Sequence, residues 1–173
     1  MSRKEFYIGI MAVVAIAFSR MIPHPPNFTP VISMAAFGGL YFDRSWKSLL
    51  LPLTAMMLSD LFIGVHTLLP FLYLIFAIIC LAPRLLNIRP SISNYLQLSF
   101  LSTVFFFVLS NFFVWAYSPM YEKTLQGLSY CFTLAIPFFG WSLLGTLFYS
   151  VLFSFLILSR EKSFGAQEAS ATA

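Results

Sequence analysis

The chain has 173 residues, of which 60% are hydrophobic, 18% aromatic and 9% charged. Soluble domains carry about 25% charged residues, so this composition excludes a soluble globular protein and is typical of an integral membrane protein. The net charge of +4 does not indicate nucleic-acid binding, because the cations are spread along the chain rather than gathered in one patch. We expect one all-α transmembrane domain, residues 1–160, and a polar cytoplasmic tail, residues 161–173.

The apolar runs predict six membrane-spanning helices, since each span requires roughly 20 mostly apolar residues. In chain order they are Glu5–Met21, Val31–Phe42, Trp46–Phe62, Leu68–Leu86, Leu96–Tyr117 and Phe138–Leu158. Pro83 is expected to kink or end the fourth helix. A separate interfacial helix, Thr124–Ile136, is expected to lead to Pro137. Five or seven spans are the alternatives.

The N-terminal run also fits a signal peptide, because Arg3 and Lys4 precede an apolar segment. Since Arg20 follows almost at once and the rest of the chain is again apolar, we interpret the run as an uncleaved first helix.

The cations give the orientation of the predicted bundle. With a cytoplasmic N-terminus, two cations, Arg20 and Lys123, are outside. The inside segments then hold Arg3, Lys4, Arg44, Lys47, Arg84, Arg89, Arg160 and Lys162. This distribution follows the positive-inside rule. We therefore predict six helices with both termini cytoplasmic.

A proline-rich connection, residues 20–30, separates the first two predicted helices. Its prolines cannot continue a helix, because each lacks an N–H donor and fixes φ. The second predicted helix has twelve residues and rises only about 18 Å, against a hydrocarbon core of about 30 Å. Either the connection descends and lines a cavity, or a short helix thins the bilayer beneath an ordinary exterior loop.

The unusual polar residues gather on the outer side of this topology. Arg20 and Asp60 lie about 21 Å and 18 Å along their helices, at matching depth and with opposite charge. Since a charge inside the bilayer normally pairs or faces a cavity, we predict an Arg20–Asp60 pair. It is either part of an outward-facing pocket or a purely structural link between the first and third helices. The candidate substrate-binding residues are Arg20, His24, Asn27, Asp60, His66, Asn111, Trp115 and Tyr121.

Metal binding and catalysis receive little support from the motifs. His24 and His66 match no metal-ligand spacing, and the sequence has no H-E-x-x-H or phosphate-binding loop. Cys80 is interpreted as a small buried hydrophobe, with a soft metal ligand as the alternative. We expect no cofactor and no enzymatic activity. The remaining catalytic alternative is an intramembrane enzyme that uses Asp60 and His66.

Several segments are similar to a family of small bacterial inner-membrane proteins of unassigned function. That family resembles the substrate-binding S-components of energy-coupling-factor (ECF) vitamin transporters. The matching segments are Arg20-x-x-Pro23-His24-Pro25-Pro26-Asn27-Phe28-Thr29-Pro30, Ala36-Phe37-Gly38-Gly39, Leu51-Pro52-Leu53, Ser59-Asp60-Leu61-Phe62-Ile63-Gly64-x-His66, Ser110-Asn111-Phe112-x-Val114-Trp115, Met120-Tyr121 and Ala135-Ile136-Pro137-Phe138-Phe139.

The resemblance implies a bundle of six helices that binds a vitamin-like solute near the outer face. It also implies partners: a transmembrane coupling protein with two ATPase subunits, alongside membrane lipid. We therefore expect a substrate-binding or uptake protein for a small polar or vitamin-like molecule. The alternative is a structural or assembly protein whose outer loops bind another protein.

Overall fold

The computed structural model describes residues 18–20, 23–41 and 47–171, which form helices and connections without a strand. Five helices are delimited: α1 (Val31–Tyr41), α2 (Lys47–Ile63), α3 (Leu69–Leu85), α4 (Ile92–Tyr117) and α5 (Leu125–Ala171). Residues 18–20 form a sixth helical segment. The all-α class is confirmed. The predicted first helix lies largely outside the described residues.

The short helix α1 is the centre of the bundle. Eight of its 11 residues are buried, and it contacts each of α2, α3, α4 and α5. Its small residues allow close approach: a Cβ at Gly39 would lie 2.2 Å from the carbonyl oxygen of Cys80 on α3. The residues that follow Tyr41 lie outside the described residues, so the predicted shortness stays a prediction; along Val31–Tyr41 the helix packs against four other helices.

The helices from α2 to α5 are joined by the short connections 64–68, 86–91 and 118–124, and each contacts the next. Short connections place consecutive helices antiparallel to one another. The connections 64–68 and 118–124 therefore lie at one end of the bundle. The connection 86–91, which contains Arg89 and follows Arg84 at the end of α3, lies at the other end. Residues 20 and 23–30 share the first end, because Arg20 contacts Asp60 near the end of α2.

The predicted start of α4 was four residues late, because a local cap begins the helix at Ile92. The backbone of Ser91 is extended, and its side chain accepts a hydrogen bond from the N–H of Asn94, 3.1 Å away. This N-cap satisfies one of the amide groups that open a helix. The apolar run begins only at Leu96, so hydrophobicity alone does not find the cap.

The predicted separation of an interfacial helix, Thr124–Ile136, from a last helix, Phe138–Leu158, is wrong. The structure has one continuous helix α5 with Pro137 inside it. A proline in a helix interior costs about 3 kcal/mol. One face of α5 is nevertheless buried on both sides of this proline, at Cys131 and Ala135 before it and at Ser142 and Thr146 after it. We attribute the continuity to this packing.

A buried polar cluster joins three helices in the interior. The hydroxyl of Ser33 on α1 lies 2.6 Å from the Tyr95 hydroxyl on α4 and 2.9 Å from the Ser150 hydroxyl on α5. Tyr95 is fully buried. Because buried hydroxyls are costly without partners, these contacts fix how α1 sits between α4 and α5.

Two helical stretches, α4 and Leu125–Phe155 of α5, are long and apolar enough to cross a membrane. Helix α3 has 17 residues and rises about 26 Å, which is slightly less than a hydrocarbon core of about 30 Å. Many large apolar side chains of α4 and α5 are exposed, among them Leu101, Leu144 and Phe155. The surface of these two helices is therefore itself apolar.

Candidate functional site

An ion-pair cluster forms where the helical residues 18–20 meet α2 and α3. Nη2 of Arg20 lies 2.9 Å from Oδ1 of Asp60. The Tyr73 hydroxyl on α3 donates a hydrogen bond to the other carboxylate oxygen, Oδ2, at 2.7 Å. The pairing that was predicted from the matching depth of the two charges is present, and Tyr73 is a further partner that the sequence did not indicate.

Every carboxylate oxygen of this cluster is engaged by protein. Nη1 of Arg20 also donates to Ser59 Oγ and approaches the Met56 carbonyl oxygen at 3.4 Å. The Asp60 side chain is only 5% exposed and that of Arg20 is 18% exposed. Since the two oxygens of Asp60 already have donors, the geometry favours the structural interpretation of the pair: it holds residue 20 against α2 and α3.

A cavity of about 220 Å³ lies next to this cluster, between the 23–30 segment, α3, α4 and α5. Its walls are mainly aromatic and aliphatic, and four polar side chains interrupt them. The lining residues are Asn27, Leu72, Phe106, Phe107, Ser110, Asn111, Val114, Ala135, Phe138, Phe139 and Ser142. Leu72 is adjacent to Tyr73 in sequence, so the cavity and the ion-pair cluster occupy the same end of the bundle. Asn27 and Asn111 are the two predicted site residues that line the cavity.

The polar groups of the cavity retain free hydrogen-bonding capacity. Nδ2 of Asn111 donates to the Phe107 carbonyl oxygen at 2.7 Å, which leaves one N–H and the side-chain oxygen for another partner. Asn27 adopts a positive φ of 64°, a conformation that Asn tolerates better than most residues. Its side-chain amide makes no hydrogen bond to the part of the chain that the structure describes. A polar molecule in the cavity would find both donors and acceptors.

The proline-rich segment packs against the middle of α5. A Cβ on Gly145 would lie 3.0 Å from the Phe28 Cα and 3.2 Å from the Thr29 nitrogen, so the absence of a side chain at 145 lets the two backbones touch. The Phe28 ring lies 5.9 Å from that of Phe148. Gly145 is ten residues from Phe155, the end of the apolar stretch. Phe28 and Thr29 therefore contact α5 directly, whereas most of residues 23–27 are exposed; descent of the connection into a membrane stays a prediction.

Trp115 and Tyr121, two other predicted site residues, belong to a separate arrangement that closes the end of α4. The Trp115 indole N–H donates to the Glu122 carbonyl oxygen at 2.9 Å. The Lys123 ammonium donates to the carbonyl oxygens of Trp115, Ser118 and Tyr121. A cation there satisfies the free carbonyls and the negative end of the helix dipole. Partial burial raises the pKa of Tyr121, and the nearby Cys131 and Tyr130 raise it further.

The two histidines do not come together with Asp60 as a catalytic or metal-binding group. Nδ1–H of His24 donates to the Pro25 carbonyl oxygen at 2.8 Å, which leaves Nε2 as a buried acceptor with no partner among the described residues. The His66 side chain is exposed in the α2–α3 connection. The alternative in which Asp60 and His66 act together gains no support, because Arg20 and Tyr73 occupy both oxygens of Asp60.

Cys80 is buried where α3 crosses α1, opposite Gly39. Within the described ranges, no group of three or more histidine, cysteine or acidic side chains is placed to hold a metal ion. A hollow beside Leu96, Gln97, Phe100 and Leu101 is largely open and is lined by α4 alone. The cavity beside Asn27 and Asn111 is less open and is lined by several elements, so it is the better candidate site.

Sequence reasoning missed most of the cavity wall. Ser142 and Ala135 were not singled out as site residues, yet they lie about two helical turns apart on the buried face of α5. A signal was present: Ser142, Thr146, Ser150 and Ser154 recur every four residues, which places four hydroxyls on one helical face. This spacing indicates that the buried side of the last helix is polar.

A comparison with protein families matched residues 1–167 to DUF6580, described as a family of unknown function. Comparisons with curated proteins and with solved structures found no match. Because the family model covers nearly the whole chain, this protein belongs to the DUF6580 family.

Proposed function

We propose that this protein is a six-span membrane protein that binds a small solute in the cavity beside Asn27 and Asn111. The proposal places both termini in the cytoplasm and the cavity towards the outer face of a bacterial inner membrane. The single observation that carries it is the cavity itself: a partly open volume of about 220 Å³ with aromatic walls and four polar side chains. Ligand sites commonly combine apolar walls with a few placed polar groups.

The orientation rests on charge. Arg84 and Arg89 lie at the end of the bundle opposite the cavity, whereas the cations at the cavity end, Arg20 and Lys123, are engaged by Asp60 and by backbone carbonyls. Cytoplasmic connections are enriched in Lys and Arg. The cavity end is therefore the outer end, from which a solute would enter.

An uptake role is the further part of the proposal. It rests on the resemblance of the matching segments to a family that in turn resembles S-components of vitamin transporters, in which a membrane-embedded subunit binds the solute and a coupling protein with ATPase subunits moves it. The α1-centred bundle with a cavity at its proposed outer end is compatible with a subunit that binds the solute while other subunits drive its transport. On this proposal the protein has no catalytic step and no cofactor of its own.

The proposal is tested by a thermal-stability screen of the detergent-solubilised protein against a panel of small metabolites. A ligand that binds the folded protein raises its melting temperature by mass action. We expect at least one solute to stabilise the wild-type protein and to have no effect on Ala135→Leu, in which added methyl groups fill the cavity. Stabilisation that survives in Ala135→Leu, or a panel without any stabilising solute, would contradict a binding role for this cavity.

A matched control separates occlusion of the cavity from general damage to α5. Leu134 precedes Ala135 on the same helix and is 46% exposed. Leu134→Met changes the helix surface without reaching the cavity lining. It should leave stabilisation by the solute unchanged.

A further inference from the structure

The lining of the cavity specifies the chemical class of its ligand. We infer that the ligand is a small, uncharged, flat molecule of one ring that carries an amide or lactam group. This inference rests on the proposed function and makes it more specific, since it states what enters the cavity. It is derived from four properties of the lining: its charge, its aromatic walls, its amide groups and its volume.

The uncharged lining favours a neutral ligand over an ionic one. None of the described residues that line the cavity is acidic, basic or a histidine. The nearest described ion pair, Arg20–Asp60, is closed by its own contacts and by Tyr73. Burying a carboxylate or an ammonium group among phenylalanine rings without a counter-charge is strongly unfavourable. The ligand is therefore neutral.

The walls favour a flat ligand. Four phenylalanines line the cavity: Phe106, Phe107, Phe138 and Phe139. The rings of Phe107 and Phe139 have their centroids 4.8 Å apart and are inclined by 47°, so they form a corner rather than a continuous stack. Aromatic rings interact well with other rings in offset or edge-to-face arrangements. A planar ring fits this corner better than a branched aliphatic chain of the same size.

The polar groups favour an amide. The Asn111 side chain is held by its bond to the Phe107 carbonyl and presents one N–H donor beside one oxygen acceptor. An amide or lactam matches these two groups, because its carbonyl oxygen can accept from the Asn111 N–H while its own N–H donates to the Asn111 oxygen. Asn27 offers a second amide from the 23–30 segment. Ser110 and Ser142 add hydroxyl groups to the same cavity.

The volume limits the ligand to one ring. A cavity of about 220 Å³ corresponds to about seven water molecules at ~30 Å³ each. That is the size of a six-membered ring with one small substituent. Larger vitamins with two or three fused rings require the walls to move.

Three probes of nearly equal size and shape separate these requirements. Benzamide has the ring and the amide, benzoate replaces the amide with a charge, and acetophenone keeps the carbonyl but lacks the N–H donors. Binding to the purified full-length protein is measured by isothermal titration calorimetry. We expect benzamide to bind more tightly than benzoate or acetophenone, each by about tenfold or more.

Two variants locate the binding. Asn111→Leu removes the amide at nearly constant volume and should abolish the preference for benzamide over acetophenone. Asn94→Leu is the matched control, because Asn94 lies on the same helix at the opposite end and bonds to the Arg89 carbonyl oxygen. It should leave all three affinities unchanged. Melting temperatures without ligand show whether each variant is folded.

The outcomes distinguish this inference from the proposed function. Equal or tighter binding of benzoate, an unchanged preference in folded Asn111→Leu, or no binding of benzamide would overturn the inference about ligand class. If Asn111→Leu does not fold, Ser110→Ala tests the same wall and should weaken benzamide binding. A solute whose stabilising effect disappears in Ala135→Leu would leave the proposed function standing even when benzamide fails.

Discussion

Two polar regions lie at the same end of the bundle, and they differ in how completely their groups are satisfied. In the ion-pair cluster, Asp60 is bound at one oxygen by Arg20 and at the other by Tyr73. In the cavity, Asn111 uses one of its donors internally, and the Asn27 side chain makes no contact of this kind with the described residues. The first region consists of charged groups, and the second consists of neutral ones.

The difference shows that the most conspicuous residues of the sequence are not those best placed to bind a ligand. A buried ion pair is costly to assemble, and it becomes tolerable only when its hydrogen-bonding capacity is filled by protein. Here the Asp60 side chain is also only 5% exposed, so a solute could reach little of it. A neutral amide at the edge of a cavity can keep donors and acceptors that no protein group bonds, because water or a ligand can form those hydrogen bonds.

The comparison is tested most strongly at Asp60. Asp60→Asn leaves the Arg20 guanidinium without its counter-charge in a site where it is mostly buried. We expect the free energy of unfolding to fall by about 3 kcal/mol, measured by denaturant unfolding in detergent micelles. The double variant Arg20→Met with Asp60→Leu should recover most of this loss, since it removes both charges together. A double variant as unstable as Asp60→Asn would contradict a structural pair.

The next effect concerns the contact between residues 28–29 and α5. Gly145→Val introduces a side chain where the Phe28 backbone lies 3.0 Å from the Cβ position. Backbone atoms cannot yield as a flexible side chain does, so we expect a loss of about 1–3 kcal/mol and weaker solute binding. Gly140→Val is the matched control in the same helix, because nothing lies within 4 Å of its Cβ position. Equal losses in the two variants would show that helix propensity alone is being measured.

The buried hydroxyls provide a smaller test of whether a buried polar group with a partner stabilises the fold more than one without. Tyr95→Phe removes a hydroxyl that contacts Ser33 at 2.6 Å, and we expect it to cost about 1–2 kcal/mol. The Thr146 hydroxyl is buried without a partner among the described residues. Thr146→Val should therefore be neutral or stabilising. Thermal unfolding of both variants checks the sign, and a costly Thr146→Val would indicate that the threonine has a partner.

The smallest effect is expected at the α4 terminus. Lys123→Met removes the cation that donates to the carbonyl oxygens of Ser118 and Tyr121. Because helix-end charges contribute about 0.3–1 kcal/mol at exposed sites, we expect a loss in that range and no change in solute affinity. A large loss of affinity in the folded variant would place the 118–124 connection in the binding site, contrary to its separation from the cavity.

The sequence predicts the all-α class and the Arg20–Asp60 pair, because each depends on a strong local signal. Apolar runs mark helices, and an ionisable residue inside an apolar helix requires a partner. The same reasoning fails at Pro137, where packing on both sides outweighs a local break, and at Ser91, where a cap begins α4 before the apolar run.

The cavity was predicted only in part, for a different physical reason. Asn27 and Asn111 stand out because they are polar in apolar surroundings. Ala135 and the four phenylalanines are ordinary membrane residues, and only the three-dimensional packing of α3, α4 and α5 reveals that they leave a space. Voids depend on the shapes of all the surrounding side chains, so no sequence pattern reports them.

The central claim is that the cavity, and not the ion pair, binds the solute. It is tested most directly by calorimetric titration of one stabilising solute into two folded variants, Asn111→Leu and the charge-neutral Arg20→Met with Asp60→Leu. The account predicts that affinity is lost in the first and retained within about twofold in the second, a change of roughly 0.4 kcal/mol. Affinity retained in Asn111→Leu and lost in the charge-neutral variant would contradict it.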